Sequence, residues 1–242
     1  METLNGNAYS DPFPHLIIKN FYNQEELELI WEELNFYTRP EKLLDAEGYG
    51  GIVDHTNAKA LLLDEIYTKP GKLLEAKEYG GIPHKTNSKA LLLDSIYCEH
   101  RNLSTILTVN RKLFDDAILK AFSSVHDCCS IARRCNWDIT KVRYYHNDEY
   151  YEPHTDASTQ FLAFSYFYKE PKKFTGGQVV FPSYNYEYSC DNNSIIIFPG
   201  WVEHGVEKVI INDSDYYEGW GRYAITSFFG NKDERGKKES KS

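Results

Sequence analysis

Apolar positions recur at two different periods along the chain. Between Gln24 and Tyr37, Leu27, Ile30, Trp31 and Leu34 return at helical spacing, the pattern of a helix with one buried face. Asn23 precedes this run and Glu26 follows three residues later, the pair that closes a capping box. A second helical run is expected from about Arg111 to Ser123, with Leu113, Phe114, Ala117, Ile118, Ala121 and Phe122 on one face. From about Asp138 the texture changes to ITKVRYY, QFLAFSYFY, QVVFP, SIIIFP, HGVEKVII and RYAITSFF. These short runs are rich in β-branched and aromatic residues, and Gly176-Gly177 and NDSD (from Asn212) punctuate them. Two helices followed by six or more short strands predict an α+β fold with a β-sandwich or barrel core.

An internal repeat lies between the two helical runs. RPEKLLDAEGYGGIVDHTNAKALLLDEIY (39–67) is followed, at a period of 30, by KPGKLLEAKEYGGIPHKTNSKALLLDSIY (69–97). Two copies fall short of the three or more units that a repeat fold needs. A tandem duplication inside a host domain is therefore expected, with a lid over a site as the functional alternative. Asp54 and His55 align with His84 and Lys85, so neither histidine keeps its register and neither is expected to bind metal. The resulting division is a helical support region over 1–137 and a core over 138–230, followed by a polar tail over 231–242, all within one structural domain.

Composition narrows the class. The 242 residues are 41% hydrophobic and 15% aromatic, with 19 Tyr and 13 Phe, enough apolar material for one sizeable core. The formal net charge of −9 offers no basic stripe for phosphates, so nucleic acid is not expected as a partner. NKDERGKKESKS at the end reads as a solvated tail. Five cysteines, an odd count, and a polar opening METLNGNAYSDPFPH point to a reducing, cytoplasmic setting. No run approaches a membrane span. Adjacent Cys128 and Cys129, with Cys135 beyond, lack the ligand spacing of a zinc knuckle and are read as ordinary thiols.

The candidate chemistry sits in HTDASTQFLAFSYFY, from His154. In a strand, residues two apart share a face, so His154 and Asp156 can converge while Thr155 turns away. His204, in FPGWVEHGV, supplies a second imidazole. Two histidines and a carboxylate form the facial triad of non-haem Fe(II) oxygenases, which leaves three coordination positions open. Arg222 opens the apolar strand RYAITSFF, where a guanidinium facing a sheet interior can grip a carboxylate. Tyr145 and Tyr151 lie just before the triad, and of the neighbours Tyr150 and Tyr151 at most one lines the pocket. Trp201 is read as packing. A zinc hydrolase using the same ligands and a non-catalytic β-sandwich binding module remain open on these residues alone.

YYEPHTD, GGQVVFP and RYAIT together resemble the Fe(II)/2-oxoglutarate dioxygenases, and among them the prolyl 4-hydroxylase-like branch, over about 138–230. The resemblance implies a double-stranded β-helix (jelly-roll or cupin-like) with flanking N-terminal helices. It further implies Fe(II) on His154, Asp156 and His204, and 2-oxoglutarate held by Arg222 with Tyr145 and Thr226 nearby. Dioxygen would be the second cosubstrate and ascorbate a supporting reductant. The implied reaction is hydroxylation of an unactivated C–H, with release of succinate and CO2. The substrate would be a peptidyl proline in a protein or peptide, with a free amino acid or another side chain as the alternative. Asp156 as a ligand argues for hydroxylation over halogenation. Two departures from the family pattern are expected to matter: a longer hairpin through IINDSDYYEGW, and Ser165 or Phe167, in place of a tyrosine, at the inward position of FLAFSYFYK.

Overall fold

The computed structural model describes residues 6–37, 43–44, 60–61, 89–97, 100–156, 158–212 and 218–231. Most of the duplicated segment, with Asp54, His55, His84 and Lys85, lies outside them, as do Cys98 and the tail from 232. The chain opens with a hairpin of β1 (Gly6–Tyr9) and β2 (His15–Lys19) and continues into α1 (Gln24–Tyr37). Short strands β3 (Leu43–Leu44) and β4 (Ala60–Leu61) pair with each other, and β5 (Lys89–Leu92) runs into the helical turn α2 (Leu93–Ile96). Helices α3 (Thr105–Asn110) and α4 (Asp116–Ser123) follow. The rest is strand: β6 (Trp137–Tyr145), β7 (Tyr151–His154), β8 (Phe161–Phe167), β9 (Phe174–Gly176) and β10 (Val179–Phe181), then β11 (Tyr186–Tyr188), β12 (Ser194–Pro199), β13 (His204–Val206), β14 (Val209–Ile211) and β15 (Arg222–Gly230).

Two antiparallel sheets form the core. The major sheet runs β1-β2-β12-β8-β15-β6-β5 and the minor sheet β11-β10-β13-β7, with β14-β9 as a separate pair. This is the double-stranded β-helix. A polypeptide of this kind buries its central strands twice. Phe161, Ala163 and Phe167 of β8 pack with Ile30, Leu34 and the other helix residues on one side of the major sheet. Leu162, Phe164 and Tyr166 pack between the sheets. Helix α1 begins as the sequence predicts: Asn23 Oδ1 accepts from the Glu26 amide at 2.9 Å, and Glu26 accepts from the Asn23 amide at 2.8 Å. Its buried Glu33 then accepts hydrogen bonds from Ser104, Thr105, Tyr37 and the Ile106 amide, which fixes α3 against α1.

Several expectations need correction. The helix expected over Arg111 to Ser123 is two pieces, a 3-10 turn over Arg111–Phe114 and then α4, because Asp115 is extended with ψ 137°. Helix α3, capped by the Ser104 hydroxyl accepting from the Leu107 amide, carried no sequence signal that was read. HGVEKVII is two strands, split at Glu207-Lys208. The hairpin β1–β2 and strand β5 also extend the major sheet, since β2 pairs with β12 and β5 with β6.

Candidate active site

The register of the minor sheet creates the site. His204, first residue of β13, pairs directly with His154, last residue of β7, and their rings lie 4.6 Å apart. Asp156 follows in the loop, where its amide donates to the Gly200 carbonyl at 2.9 Å. A Cβ at Gly200 would collide with the carbonyl oxygens of Asp156 and Thr159, so only glycine lets this loop close over the β12–β13 turn. Asp156 Oδ2 then stands 3.5 Å from His204 Nε2 and 3.9 Å from His154 Nε2. One ligand atom from each of the three lies within 4.8 Å of the others, and this is the one such group among the described residues. Thr155 is exposed, but β7 ends at His154, so the loop and not strand alternation turns Asp156 inward.

Each imidazole is oriented by the backbone two residues before it. His154 Nδ1 lies 2.9 Å from the Glu152 carbonyl, and His204 Nδ1 2.9 Å from the Val202 carbonyl. A carbonyl only accepts, so Nδ1 carries the hydrogen in both rings and Nε2 presents its lone pair to the site. Burial, followed by the His204 ring beside it, lowers the pKa of His154 to about 4, so it is neutral at pH 7, the form a metal takes. Burial works against the Asp156 carboxylate, but His204, His154 and Arg143 outweigh it and hold its pKa below the ordinary value. Tyr151 stacks on His154 at 3.9 Å, while Tyr150 stays partly exposed, so one of the two tyrosines lines the cleft.

The major sheet supplies the opposite wall. Arg222, Ala224, Thr226 and Phe228 of β15 face the cleft in alternation. Arg222 is 2% exposed, and its guanidinium stacks between the rings of Tyr145 and Tyr166 at 4.8 and 4.7 Å. Its Nε and Nη1 have no hydrogen-bond partner among the described residues, and Nη2 reaches only the Cys190 sulfur at 4.0 Å. A buried cation without an anion is costly, so the chain holds a place for a carboxylate. Gly177 makes the room: its φ is +73°, and a Cβ there would sit 2.9 Å from Arg222 Cδ. That is the physical content of the glycine pair in FTGGQVVFP.

All six residues singled out from the sequence therefore line one cleft: His154, Asp156, His204, Arg222, Tyr145 and Thr226. The inward position of β8 is a correction. Tyr166 occupies it, not Ser165 or Phe167. Tyr166 pairs with Ala224 of β15, and its buried hydroxyl has no hydrogen-bond partner among the described residues. Ser165 faces the helices and lies 3.2 Å from the Tyr22 hydroxyl. Trp201 is 51% exposed rather than packed. Arg143 was also passed over in the sequence. It lines the cleft at 6% exposure with its guanidinium 4.9 Å above Tyr151. Lys141 is two residues earlier on the same strand, and burial, reinforced by Arg143, pushes its pKa down to about 8. Cys128, Cys129, Cys135 and Cys190 are free thiols.

Residues 140–230 match the profile of the 2OG-Fe(II) oxygenase superfamily. That match spans less than half of the chain. The cofactor and cosubstrates that this superfamily implies are Fe(II), 2-oxoglutarate and dioxygen. The donor set fits them, with two imidazoles and a carboxylate for the metal and a guanidinium without a carboxylate partner among the described residues for a distal carboxylate. Among solved structures, the chain resembles a prolyl-4-hydroxylase of Pseudomonas putida (11% identity, 96% of this chain and 95% of that one, TM-score 0.48). It also resembles the viral collagen prolyl hydroxylase of Paramecium Bursaria Chlorella virus-1 (13%, 89% and 94%, TM-score 0.46). A third similar structure is an oxidoreductase of the 2OG-Fe(II) oxygenase family from Burkholderia pseudomallei (17%, 53% of this chain, TM-score 0.40), of which this chain spans 57%. No curated protein matches the sequence. Among the described residues, no helix is long and apolar enough to cross a membrane.

Proposed function

We propose that this oxygenase hydroxylates an unactivated C–H of a peptidyl proline, releasing succinate and CO2, with ascorbate as a supporting reductant. In this reading His154, Asp156 and His204 ligate the metal, and Arg222, with Tyr145 and Thr226 beside it, holds the far carboxylate of 2-oxoglutarate. The residues before 138 brace the catalytic core within one structural domain. The single observation that carries the reading is the pairing of a two-histidine, one-carboxylate cluster with a buried guanidinium that has no carboxylate of its own. A zinc hydrolase would have no use for that second feature. The likeness of YYEPHTD, GGQVVFP and RYAIT to the prolyl 4-hydroxylase-like branch motivates the choice of substrate.

When bound, the iron and its cosubstrates supply the oxidising power that breaks the C–H bond. The chain's own part is ligation, orientation and exclusion of water. The Glu152 and Val202 carbonyls hold the two imidazoles with Nε2 toward the metal. Phe164 and Phe198 pack edge-on against His204 at 5.3 and 5.2 Å, which keeps that side of the site dry. Tyr166 offers its hydroxyl to the carboxylate that Arg222 grips. The test is an anaerobic titration with Fe(II) and then 2-oxoglutarate, following the visible charge-transfer band of the chelate. The band is expected in wild type, absent in Asp156→Ala and weakened in Arg222→Ala. A well-folded wild type with no band rejects the reading.

A further inference from the structure

An irregularity in the minor sheet builds a second concavity beside the metal cleft. Strand β13 pairs His204 with His154 and Val206 with Tyr151, so Gly205 alone stands opposite both Glu152 and Pro153. This is a β-bulge, which re-aims side chains. Tyr151 and His154, three residues apart, both turn inward and stack, while Glu152 is exposed and Pro153 half-buried. A Cβ at Gly205 would meet the backbone of Tyr151, Pro153 and Glu152 at 2.9 to 3.2 Å, so glycine gives the bulge its room. The open groove that results holds about 400 Å³ and is lined by Tyr150, Glu152, Pro153, Val180, Glu207 and Lys208, a size within the range of ligand clefts. Tyr151 and Val206 border both this groove and the metal cleft. Val180 lies between Val179 and Phe181, which pack between the sheets, so the groove is on the outer face of the minor sheet. Strand β7 ends that sheet, and a chain seated in the groove reaches the metal side by rounding one strand edge.

The lining matches a particular kind of side chain. Tyr150, Pro153 and Val180 offer an apolar wall, and Glu152 and Glu207 carry exposed carboxylates. Lys208, the cation of this lining, is bridged to Asp148 at 3.3 Å, and its ammonium lies 6.0 Å from the Tyr150 ring. The groove thus already seats one ammonium against its aromatic wall. Lysine and arginine join an apolar stem to a charged head, which is the shape and charge that wall and carboxylates complement. The formal net charge of −9 draws such a ligand in from a distance.

Resting on the peptidyl-proline reading above, we propose that this groove docks a basic residue of the peptide substrate, one that flanks the hydroxylated proline. The stem of that lysine or arginine lies along Tyr150 and Val180, and its head meets Glu152 and Glu207. Glu152 joins the two sites, since its carbonyl orients the His154 imidazole while the residue lines the groove. An extended chain advances about 3.3 Å per residue, so rounding one strand sets the base about two to four residues from the proline.

The test uses the Fe(II)·2-oxoglutarate protein, immobilised under argon, and a peptide library with one fixed proline and all residues at the flanking positions. Wild type is expected to retain peptides with Lys or Arg at one flanking position about fivefold over the Gln equivalents. Glu207→Gln should lose most of that preference while its charge-transfer band titrates with 2-oxoglutarate as in wild type, and Glu207→Lys should turn it against basic peptides. Adding Glu152→Gln, which keeps the backbone carbonyl, should remove what Glu207→Gln leaves. Equal recovery of basic and amide peptides, or none of either, overturns the proposal. So does a preference that survives in the Glu152→Gln, Glu207→Gln double variant, since the base would then be read elsewhere. Displacement by free spermidine at lower concentration than by any peptide overturns the assignment to a peptide. The two readings fail separately: a band without the basic preference rejects the docking groove alone. A Glu207-dependent preference without a band supports the groove and rejects the oxygenase reading.

Discussion

At the scale of single residues, Arg222 combines the greatest cost with the clearest purpose. A guanidinium 2% exposed and without an anion among the described residues destabilises the empty protein. Arg222→Met is therefore expected to raise the thermal stability of the ligand-free protein by about 1–3 kcal/mol while 2-oxoglutarate ceases to stabilise it. Wild type at a hundredfold excess over Kd should gain about 2.7 kcal/mol from the cosubstrate; differential scanning calorimetry with and without it reads both effects. Tyr166→Phe removes a hydroxyl that has no hydrogen-bond partner among the described residues, so stability should hold while 2-oxoglutarate affinity drops roughly tenfold. His154 sets a pH dependence. Its imidazole is neutral in both folded and unfolded chains above pH about 6.5. As pH falls toward 4, the unfolded chain takes up the proton first, so metal-free stability should decline across that window, by up to about 3 kcal/mol. Denaturant melts of His154→Gln should show a flatter profile over the same range.

Elements explain what could be read in the sequence and what could not. The triad was legible because its spacing is chemical: a histidine that ends one strand, a carboxylate two residues on, and a histidine that opens another strand. The inward residue of β8 was not, because FLAFSYF is buried on both faces. A strand with helices on one side and a second sheet on the other shows no alternation of apolar and polar positions, so its parity is hidden. The break at Asp115 was concealed for a related reason, since Leu113 and Phe114 on one side and Ile118 on the other keep helical spacing through it. HLIIK in β2 is too short for its period to separate strand from helix. Two element-level changes follow. Gly177→Ala forces a side chain into a positive φ and against Arg222, and should cost about 1–3 kcal/mol together with cosubstrate affinity. Asn23→Ala, which removes only the cap of α1, should cost about 1 kcal/mol and leave the 2-oxoglutarate titration unchanged.

For the whole molecule, the profile match over 140–230 understates what the core requires. The edge of β12 is covered by β2 and the edge of β6 by β5, both from the region before 138. A chain shortened to begin at Asn20 would expose the β12 edge, an invitation to intermolecular pairing. It is expected to elute as aggregate in size-exclusion chromatography where the full chain does not.

The division of the site between sheets has a mechanical consequence. His154 and His204 stand on the minor sheet, and Arg222, Tyr145 and Tyr166 on the major one. A dicarboxylate gripped at both ends would act as a rivet through the sandwich, so the two sheets could part only after one grip lets go. Amide exchange in β7 and β13 should then slow together with exchange in β15 when metal and 2-oxoglutarate are added, although no hydrogen bond joins those strands across the core.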